Sequence, residues 1–547
     1  MASMIQRNIQ EANVPAADGS LLKTLFCLPD ETAFPCPAVV IRSPYSICSD
    51  DLRFTDDFCK NGIAVVLQDC RGTGGSQGEA QYWEQEQADA NSLFTFVKNQ
   101  PWFNGKLVMT GESYSGATQW QAIRNPDTPL TGFAPHNAPL DCFDGIYYPS
   151  GAYGFAAGIY WALTQRQQRL HLPDIQFTPE LLKHLPLNTF DEAAGVGKWE
   201  SFRSWLAQPL RNAFWDKCNA FSAISKIKVP AYITGGWFDP FIMQTLRAFT
   251  MMRNTAATPE AREYTRLVIE PFNHAMMPGE VNYGKFCRAG IINLRKRFLM
   301  NCLNDPEEDP LPDQPPVKLF LMGSNQWVET DQWPLPSIQK NWYLREDQML
   351  STQPPGDQEL PDRFIYDPEN PVPTNGGNNL LFLPAGQHKQ NELETRSDVL
   401  LYTSPELTED LTIIGAVRAV IYAKTTAPDT DFTVKLCDVY PDGTSYNVCD
   451  GLVRASRRNG MGMFAPSLTP DEIVKFDIDC KATALTFQKG HRIRIQVSSS
   501  NFPCYDRNPN TGEPFGTATK TQKAMQTILH DGEHPSRLIL PEIPVLP

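Results

Sequence analysis

The segment 109–116, with the sequence MTGESYSG, carries a serine in a setting that favours nucleophilic chemistry. It follows a short apolar run and precedes a helix-like stretch, which is the strand–turn–helix arrangement of a nucleophile elbow. Small residues are needed around so tight a turn, and Gly111 and Ser115 meet that need, although glycine is more usual at the second of these positions. The same pattern also arises by chance. The prediction that Ser113 is a nucleophile therefore depends on the two partner residues described next.

A serine hydroxyl is a weak nucleophile at neutral pH and needs a histidine base that is oriented by a third group. Asp239 and His274 each stand just after a short apolar run of the kind that forms a buried strand. Serine, acid and histidine also follow one another in the chain order of an α/β-hydrolase triad. A lone aspartate is usually solvated and a lone histidine is usually an ordinary loop residue, but this joint placement favours catalysis. The sequence therefore predicts a triad of Ser113, Asp239 and His274, with His136 as a weaker rival for the base.

The oxyanion that forms when a serine attacks a carbonyl group needs hydrogen-bond donors. The backbone N–H of Tyr114, directly after the nucleophile, is the first expected donor. A second donor should come from the loop after an early strand, where Tyr45 in the segment RSPYS carries a hydroxyl. Spacing alone favours a tyrosine that only lines the core or the rim, so the second donor stays open at this point.

The glycine-rich segment 69–76, DCRGTGGS, superficially resembles a phosphate-binding loop. It lacks the Lys-Ser/Thr pair of a P-loop and the acidic residue that follows in a dinucleotide site. We predict a structural turn held by Asp69 and Arg71. The chain also shows no Cys-x-x-Cys pair and no zinc-ligand spacing, so we expect neither a cofactor nor a metal.

The elements that must position these residues form an α/β pattern. Short apolar runs rich in valine and isoleucine occur at Ala38–Ile41, Ile63–Leu67, Leu107–Met109, Tyr232–Ile233 and Leu267–Ile269. Helix-like segments such as Glu84–Lys98 and Ala117–Arg124 lie between them. This alternation predicts a mostly parallel sheet that is covered by helices on both faces. We assign this catalytic α/β domain to residues 1–136 and 229–336.

Two further regions depart from that pattern. Residues 137–228 hold helical stretches rich in aromatic residues and leucine, at Tyr147–Leu170, Phe177–Leu187 and Trp199–Leu210. Residues 337–547 hold alternating runs separated by turns, at Ala416–Ala423, Phe432–Val439 and Ile493–Val497. The first region is predicted to be a helical insertion domain, and the second a β-sandwich or jelly roll.

Composition excludes several classes of function. The formal net charge of −14 disfavours nucleic acid as a partner, because an acidic surface repels phosphate. No stretch has the length of a membrane span, and the N-terminal residues show no secretory h-region. With 13 scattered cysteines, we expect reduced thiols in a cytoplasmic protein, although a few disulfides in an exported protein remain an alternative.

Taken together, these motifs resemble the CocE/NonD (cocaine esterase-like) family of serine hydrolases, which is related to the X-Pro dipeptidyl-peptidases of family S15. The matching segments are Arg42–Tyr45, Asp69–Gly74, Gly111–Gln121, Gly236–Asp239, Pro271–His274, Asp429–Leu436 and Val497–Pro503. The resemblance implies an α/β-hydrolase core, a helical insertion and a C-terminal jelly roll. It also implies that the Tyr45 hydroxyl and the Tyr114 amide form the oxyanion hole, and that the acyl pocket is lined by Trp161, Phe241, Leu381 and Phe382.

The same resemblance narrows the expected substrate to a small-molecule ester or amide. Amino-ester hydrolases of the family carry acidic residues shortly after the catalytic aspartate, whereas this chain has Phe241 and Ile242 there. We therefore expect acyl-ester hydrolysis through an acyl-enzyme. Amide or X-Pro dipeptidyl-peptidase-like peptide cleavage is the first alternative, and a non-catalytic ligand-binding protein is the second. The oligomeric state stays open, with a homodimer as one arrangement.

Overall fold

The computed structural model describes residues 8–47, 56–305, 307–380 and 382–546. A ten-stranded mixed sheet has the strand order β1-β2-β4-β3-β5-β6-β7-β8-β9-β10. Its strands are β1 Asn8–Pro15, β2 Leu21–Leu28, β3 Cys36–Ser43, β4 Ala64–Asp69, β5 Phe103–Glu112, β6 Leu130–His136, β7 Tyr232–Phe238, β8 Arg266–Asn273, β9 Val317–Leu321 and β10 Gln326–Thr330. The seven central strands, β4-β3-β5-β6-β7-β8-β9, are parallel to one another. At the two edges, β1 pairs antiparallel with β2, β2 with β4, and β10 with β9. All five strands predicted for the core are confirmed.

Helices cover both faces of this sheet, as the doubly buried strands require. Val39 and Val108 pack with Phe298 of one helical layer, while their chain neighbours Val40 and Met109 belong to the core on the opposite face. The α-helices whose bounds lie wholly within the described residues are Glu86–Lys98, Tyr114–Ala122, Ala162–Arg169, Pro179–Leu182, Phe190–Ala193, Glu200–Leu206, Ile242–Thr255, Pro259–Glu263 and Ile291–Asn304. None of the helices in the described part of the chain combines the length and the apolar character needed to cross a bilayer.

The region between β6 and β7 is helical, but its helices are shorter than predicted. The predicted helix Tyr147–Leu170 is interrupted by a turn at Pro149–Gly151 and includes the π-helical segment Ala156–Trp161. Trp199–Leu210 contains a helix only over Glu200–Leu206. Proline cannot donate a helical hydrogen bond and disfavours helix in the preceding residue, which explains why aromatic periodicity overestimated these lengths.

A disulfide joins the two ends of this helical region. Cys142 lies soon after β6 and Cys218 lies shortly before β7, with their Cα atoms 6.0 Å apart. The expectation of reduced thiols is therefore wrong for this pair. A separation of 76 residues gives no spacing signal, and only the fold reveals that the two cysteines are neighbours.

The second sheet is built from the last part of the chain and follows the jelly-roll prediction. Its eleven strands are β11 Ile338–Arg345, β12 Met349–Ser351, β13 Asp362–Tyr366, β14 Leu400–Thr403, β15 Leu411–Thr425, β16 Asp431–Val439, β17 Ser445–Arg454, β18 Val474–Phe487, β19 Arg492–Ser498, β20 Ala524–Leu529 and β21 Arg537–Glu542. One apolar cluster runs from the first sheet into this one, so the two share a continuous core. The predicted fold class, an α/β-hydrolase core with a helical insertion and a C-terminal jelly roll, is confirmed.

Candidate active site

Ser113 occupies a sharp turn between β5 and the helix Tyr114–Ala122. Its backbone lies at φ 58° and ψ −122°, a region that a residue with a side chain rarely adopts. The turn is held from both sides: the Ser113 N–H donates to His136 O at 2.9 Å, and the Ala117 N–H donates to Ser113 O at 2.9 Å. Strain of this kind persists only where surrounding structure enforces it, and it is typical of a functional residue.

Glycines on both sides of Ser113 allow the close approach that this turn needs. A Cβ atom on Gly111 would lie 2.6 Å from the Cβ atom of Ser115, and one on Gly116 would lie 2.5 Å from that of Ala138. Both distances are shorter than atoms in contact allow. Gly111 can therefore approach the start of the helix, and Gly116 can approach the segment after β6, only because neither residue has a side chain.

The structure brings the three predicted triad residues together at one edge of the sheet. His274 Nε2 lies 2.9 Å from Ser113 Oγ, and His274 Nδ1 lies 2.5 Å from Asp239 Oδ2. Asp239 follows β7 and His274 follows β8, so parallel neighbouring strands deliver both side chains to the same edge. Asp239 is fully buried, and its other oxygen accepts the Phe241 N–H at 2.8 Å. The acid is therefore fixed in the orientation that binds the imidazole.

The imidazole of His274 has a pKa above its ordinary value. Burial of the ring lowers this pKa, but the charge and the hydrogen bond of Asp239 raise it by more, and the charge of Glu112 adds to the rise. A base with a raised pKa holds a proton more strongly and so accepts one more readily from a hydroxyl. The electrostatics of the site therefore suit His274 to accept the proton of Ser113.

His136, the rival base, is placed differently. Its Nδ1 lies 2.8 Å from Thr234 Oγ1 and its Nε2 lies 2.9 Å from Met276 Sδ. Both ring nitrogens are thus engaged, and burial holds the pKa of the ring well below its ordinary value. The backbone carbonyl of His136 supports the turn at Ser113. None of the described hydrogen bonds joins the His136 ring to Ser113.

The two predicted oxyanion donors are the Tyr114 N–H and the Tyr45 hydroxyl. Tyr114 is the first residue of its helix, and first-turn N–H groups have no partner within a helix. Tyr45 is 46% exposed overall, yet burial is the largest cause of the raised pKa of its hydroxyl. Hydrogen bonding with the side chains of Ser113 and Trp161 partly offsets that rise. The Tyr45 hydroxyl is thus beside the serine and stays protonated at neutral pH.

A buried network that the sequence did not reveal fixes Tyr114. Its hydroxyl donates to Glu86 Oε1 at 2.8 Å and accepts the Trp83 N–H at 3.0 Å. Arg42 in turn donates to Glu86 Oε2 at 2.7 Å. These groups come from separate elements and carry no motif, so no spacing signal could have found them. They anchor the residue whose backbone N–H follows the nucleophile.

The predicted acyl-pocket residues fall into two groups. Trp161 stacks on the Tyr114 ring with centroids 5.7 Å apart, and Phe241 meets the His274 ring edge to face at 5.5 Å. Phe382 instead packs against Tyr160 at 4.3 Å. Leu381 lies outside the described residues. Phe241 therefore borders the triad, Trp161 packs on the residue that follows the nucleophile, and Tyr160 is an aromatic neighbour that the sequence analysis missed.

A residue of the jelly-roll region also contacts the loop that carries Asp239, which is called the acid loop below. Asn378 donates from its side-chain amide to Trp237 O at 2.8 Å and to Asp239 O at 2.9 Å. This asparagine lies far away in sequence and was not predicted. Within the described ranges, no group of three or more histidine, cysteine, aspartate or glutamate residues could hold a metal ion.

Comparison with known proteins identifies the family. The family model of the X-Pro dipeptidyl-peptidase (S15 family) matches residues 18–276, and that of the X-Pro dipeptidyl-peptidase C-terminal non-catalytic domain matches residues 311–539. The chain is 32% identical to the cocaine esterase of Rhodococcus sp. (strain MB1 Bresler), and the alignment covers 97% of each chain.

Solved structures agree over nearly the whole chain. An aminopeptidase from a marine sediment Thaumarchaeota archaeon has a TM-score of 0.87 at 25% identity, covering 98% of this chain and 96% of its own. An α-amino acid ester hydrolase has a TM-score of 0.84 at 27% identity, covering 98% of this chain and 97% of its own. The chain therefore belongs to the CocE/NonD (cocaine esterase-like) family of serine hydrolases, related to the X-Pro dipeptidyl-peptidases of family S15.

Proposed function

We propose that this protein hydrolyses acyl esters through a covalent intermediate on Ser113. The observation that carries the proposal is the continuous chain of contacts from Ser113 Oγ through the two nitrogens of His274 to the buried Asp239 carboxylate. A strained serine at a sheet edge, an oriented imidazole and adjacent donors are the parts that acyl transfer requires.

Acylation begins when Ser113 Oγ attacks the carbonyl carbon of the ester and its proton passes to His274 Nε2. The carbonyl oxygen becomes an oxyanion, which accepts hydrogen bonds from the Tyr114 N–H and the Tyr45 hydroxyl. Collapse of this intermediate breaks the bond to the leaving oxygen, which takes the proton from His274. Asp239 stabilises the imidazolium between these two transfers.

Deacylation repeats the same steps with water. A water molecule gives a proton to His274 Nε2 and attacks the carbonyl carbon of the acyl-serine. The second oxyanion collapses, Ser113 Oγ leaves with the proton from His274, and the carboxylic acid is released. No reactant other than ester and water is consumed.

The surroundings of the triad favour an apolar acyl group without an α-amino function. Trp161 and Phe241 present aromatic surfaces beside Tyr114 and His274. Phe241 and Ile242, which follow Asp239 by two and three residues, carry no charge that would bind an ammonium group. The similarity to a protein named cocaine esterase supports an ester substrate.

Amide or peptide cleavage by the same residues is the second candidate. It is favoured by the S15 family match and by the likeness to an archaeal aminopeptidase. An amide leaves as an amine and depends more strongly on protonation by His274 than an aryl ester does. The relative rates on matched ester and amide substrates therefore distinguish ester hydrolysis from amide or peptide cleavage.

Matched aryl ester and anilide substrates with the same benzoyl group test this proposal. We expect a higher kcat/KM for the ester, with a pre-steady-state burst of one phenol per chain because an activated aryl ester acylates Ser113 faster than water hydrolyses the acyl-serine. Blocked and free α-amino versions of an ester provide the control for the ammonium argument. An anilide or α-amino ester that is hydrolysed faster than the plain ester would contradict the assignment.

Tyr45→Phe should lower kcat about 10²- to 10³-fold, because one oxyanion donor is lost in the transition state. KM should change much less, since a neutral carbonyl oxygen needs that donor less than an oxyanion does. Steady-state kinetics on an ester together with a thermal melt give the measurement. Tyr422→Phe, in the jelly roll beside His534, is the matched control and should leave kcat unchanged. A Tyr45→Phe variant with near wild-type kcat would reject the role of its hydroxyl.

A further inference from the structure

A cavity lies between the helical insertion and the jelly roll, and no triad residue lines it. Its volume is about 340 Å³, within the range of small-molecule sites. None of the residues that line it belongs to the triad, the proposed oxyanion hole or the aromatic surfaces beside them. The insertion contributes apolar walls through Phe155, Leu182 and Leu187, and the opposite side contributes Phe502 and Phe515.

Arg457 lines this cavity without a direct ion pair to a described carboxylate, although the charges of Asp429 and Asp506 act on it from a distance. The residue is only 4% exposed, and its Nε and Nη1 atoms have no hydrogen-bond partner among the described residues. It forms no ion pair with a described carboxylate, and its guanidinium lies 4.0 Å from the centroid of the Phe464 ring. Burial lowers the pKa of Arg457 to about 10. Burying a cation without a partner is costly, which makes this position receptive to an anion.

The other arginines of the cavity are already paired. Arg454 contacts Asp431 at 2.8 Å and Asp506 at 3.0 Å, while Arg507 donates to Glu369 at 2.8 Å. Among the described residues, these pairs leave Arg457 as the arginine of the lining that has no ion-pair partner.

The carboxylates of the cavity are also engaged. Asp429 accepts the Ser456 N–H at 2.8 Å and the Asn508 side chain at 3.1 Å. Asp506 accepts the Tyr153 N–H at 2.6 Å in addition to its contact with Arg454. Glu513, the third carboxylate of the lining, is exposed and accepts the Thr511 hydroxyl at 3.0 Å. Each acid is thus held by donors of its own, and none of the three forms an ion pair with Arg457 among the described contacts.

We propose that this cavity binds a small organic monoanion, a carboxylate with an aromatic or branched apolar body. A single negative charge matches the single unpaired guanidinium, and the apolar walls accommodate a ring or a short chain. The bound molecule would contact both the insertion and the jelly roll. Its binding should therefore stabilise the packing of these two regions against each other.

Benzoate and its neutral isostere benzamide are suitable probes. We expect benzoate to bind the wild-type protein in isothermal titration and to raise its melting temperature, because a ligand that binds only the folded state stabilises it. Benzamide should bind at least about tenfold more weakly, since it cannot pair with the guanidinium. Equal affinities for the two probes, or no benzoate binding at millimolar concentration, would overturn the proposal.

Two variants locate the site. Arg457→Met removes the charge, and Leu182→Trp fills part of the cavity from a partly exposed position on the insertion. Each should weaken benzoate binding at least about tenfold while leaving ester hydrolysis without benzoate unchanged, because neither residue belongs to the catalytic machinery. If Arg457→Met does not fold, Leu182→Trp alone decides. Benzoate affinity that persists in Leu182→Trp would place the ligand elsewhere, such as among the products at the triad, and would refute the proposal.

Discussion

Ser113→Ala should lower kcat for an ester substrate about 10⁶-fold, the scale seen when a triad nucleophile is removed from a serine hydrolase. The variant keeps the strained turn, the helix start and the oxyanion donors, so substrate binding should persist with a similar dissociation constant. The loss should therefore appear in kcat and not in binding. Stopped-assay kinetics and equilibrium binding of a slowly hydrolysed amide measure the two quantities separately.

The same turn offers a matched control for this substitution. Ser115→Ala removes a hydroxyl two residues further on, where the side chain is buried close to Gly111, while the described hydrogen bond of His274 Nε2 is to Ser113. This variant should keep kcat within about tenfold of wild type, as expected for a change outside the reacting atoms. Comparable losses in both variants would show that the turn, and not the Ser113 hydroxyl, had been damaged.

Asp239→Asn should lower kcat about 10⁴-fold at neutral pH. An amide in place of the buried carboxylate can present a donor to His274 Nδ1, which favours the tautomer with its proton on Nε2 and removes the acceptor that Ser113 needs. The charge that raises the pKa of His274 is also lost. A base with a lower pKa is neutral at lower pH, so the acid limb of the residual kcat/KM profile should move to lower pH.

A pH profile of kcat/KM for wild type and Asp239→Asn measures both effects. Asp438→Asn is the matched control, because Asp438 contacts the ring of His491 at 2.8 Å in the jelly roll, remote from Ser113. That variant should keep the wild-type profile. An unchanged acid limb in Asp239→Asn, or a loss smaller than tenfold, would mean that Asp239 does not govern the protonation of His274.

Local sequence signals were sufficient to predict the site residues that directly follow strands of the first sheet. The apolar runs before Ser113, Asp239 and His274 became β5, β7 and β8, and parallel pairing brought their carboxyl ends to one edge. This geometry follows from the fold class alone, because neighbouring parallel strands end on the same side. The Tyr45 loop after β3 follows the same rule.

Contacts between distant segments could not be predicted in the same way. Glu86 lies on a helix with an ordinary amphipathic sequence, and only packing shows that its carboxylate accepts the hydroxyl of Tyr114. Asn378 reaches the acid loop from beyond the first sheet, which no periodicity indicates. The lengths of the helices in the insertion were overestimated because the spacing of apolar residues continues across prolines, whereas the helical hydrogen bonding ends there.

Mass spectrometry of the protein after reaction with a fluorophosphonate tests the central claim most directly. A fluorophosphonate forms a stable bond with a serine only where that serine is activated as a nucleophile. We predict one adduct per chain, mapped to the peptide that contains Ser113, and its loss in His274→Ala, which keeps the serine but removes the base. An unmodified protein, or an adduct on another residue with hydrolysis abolished, would contradict the assignment of Ser113 as the nucleophile.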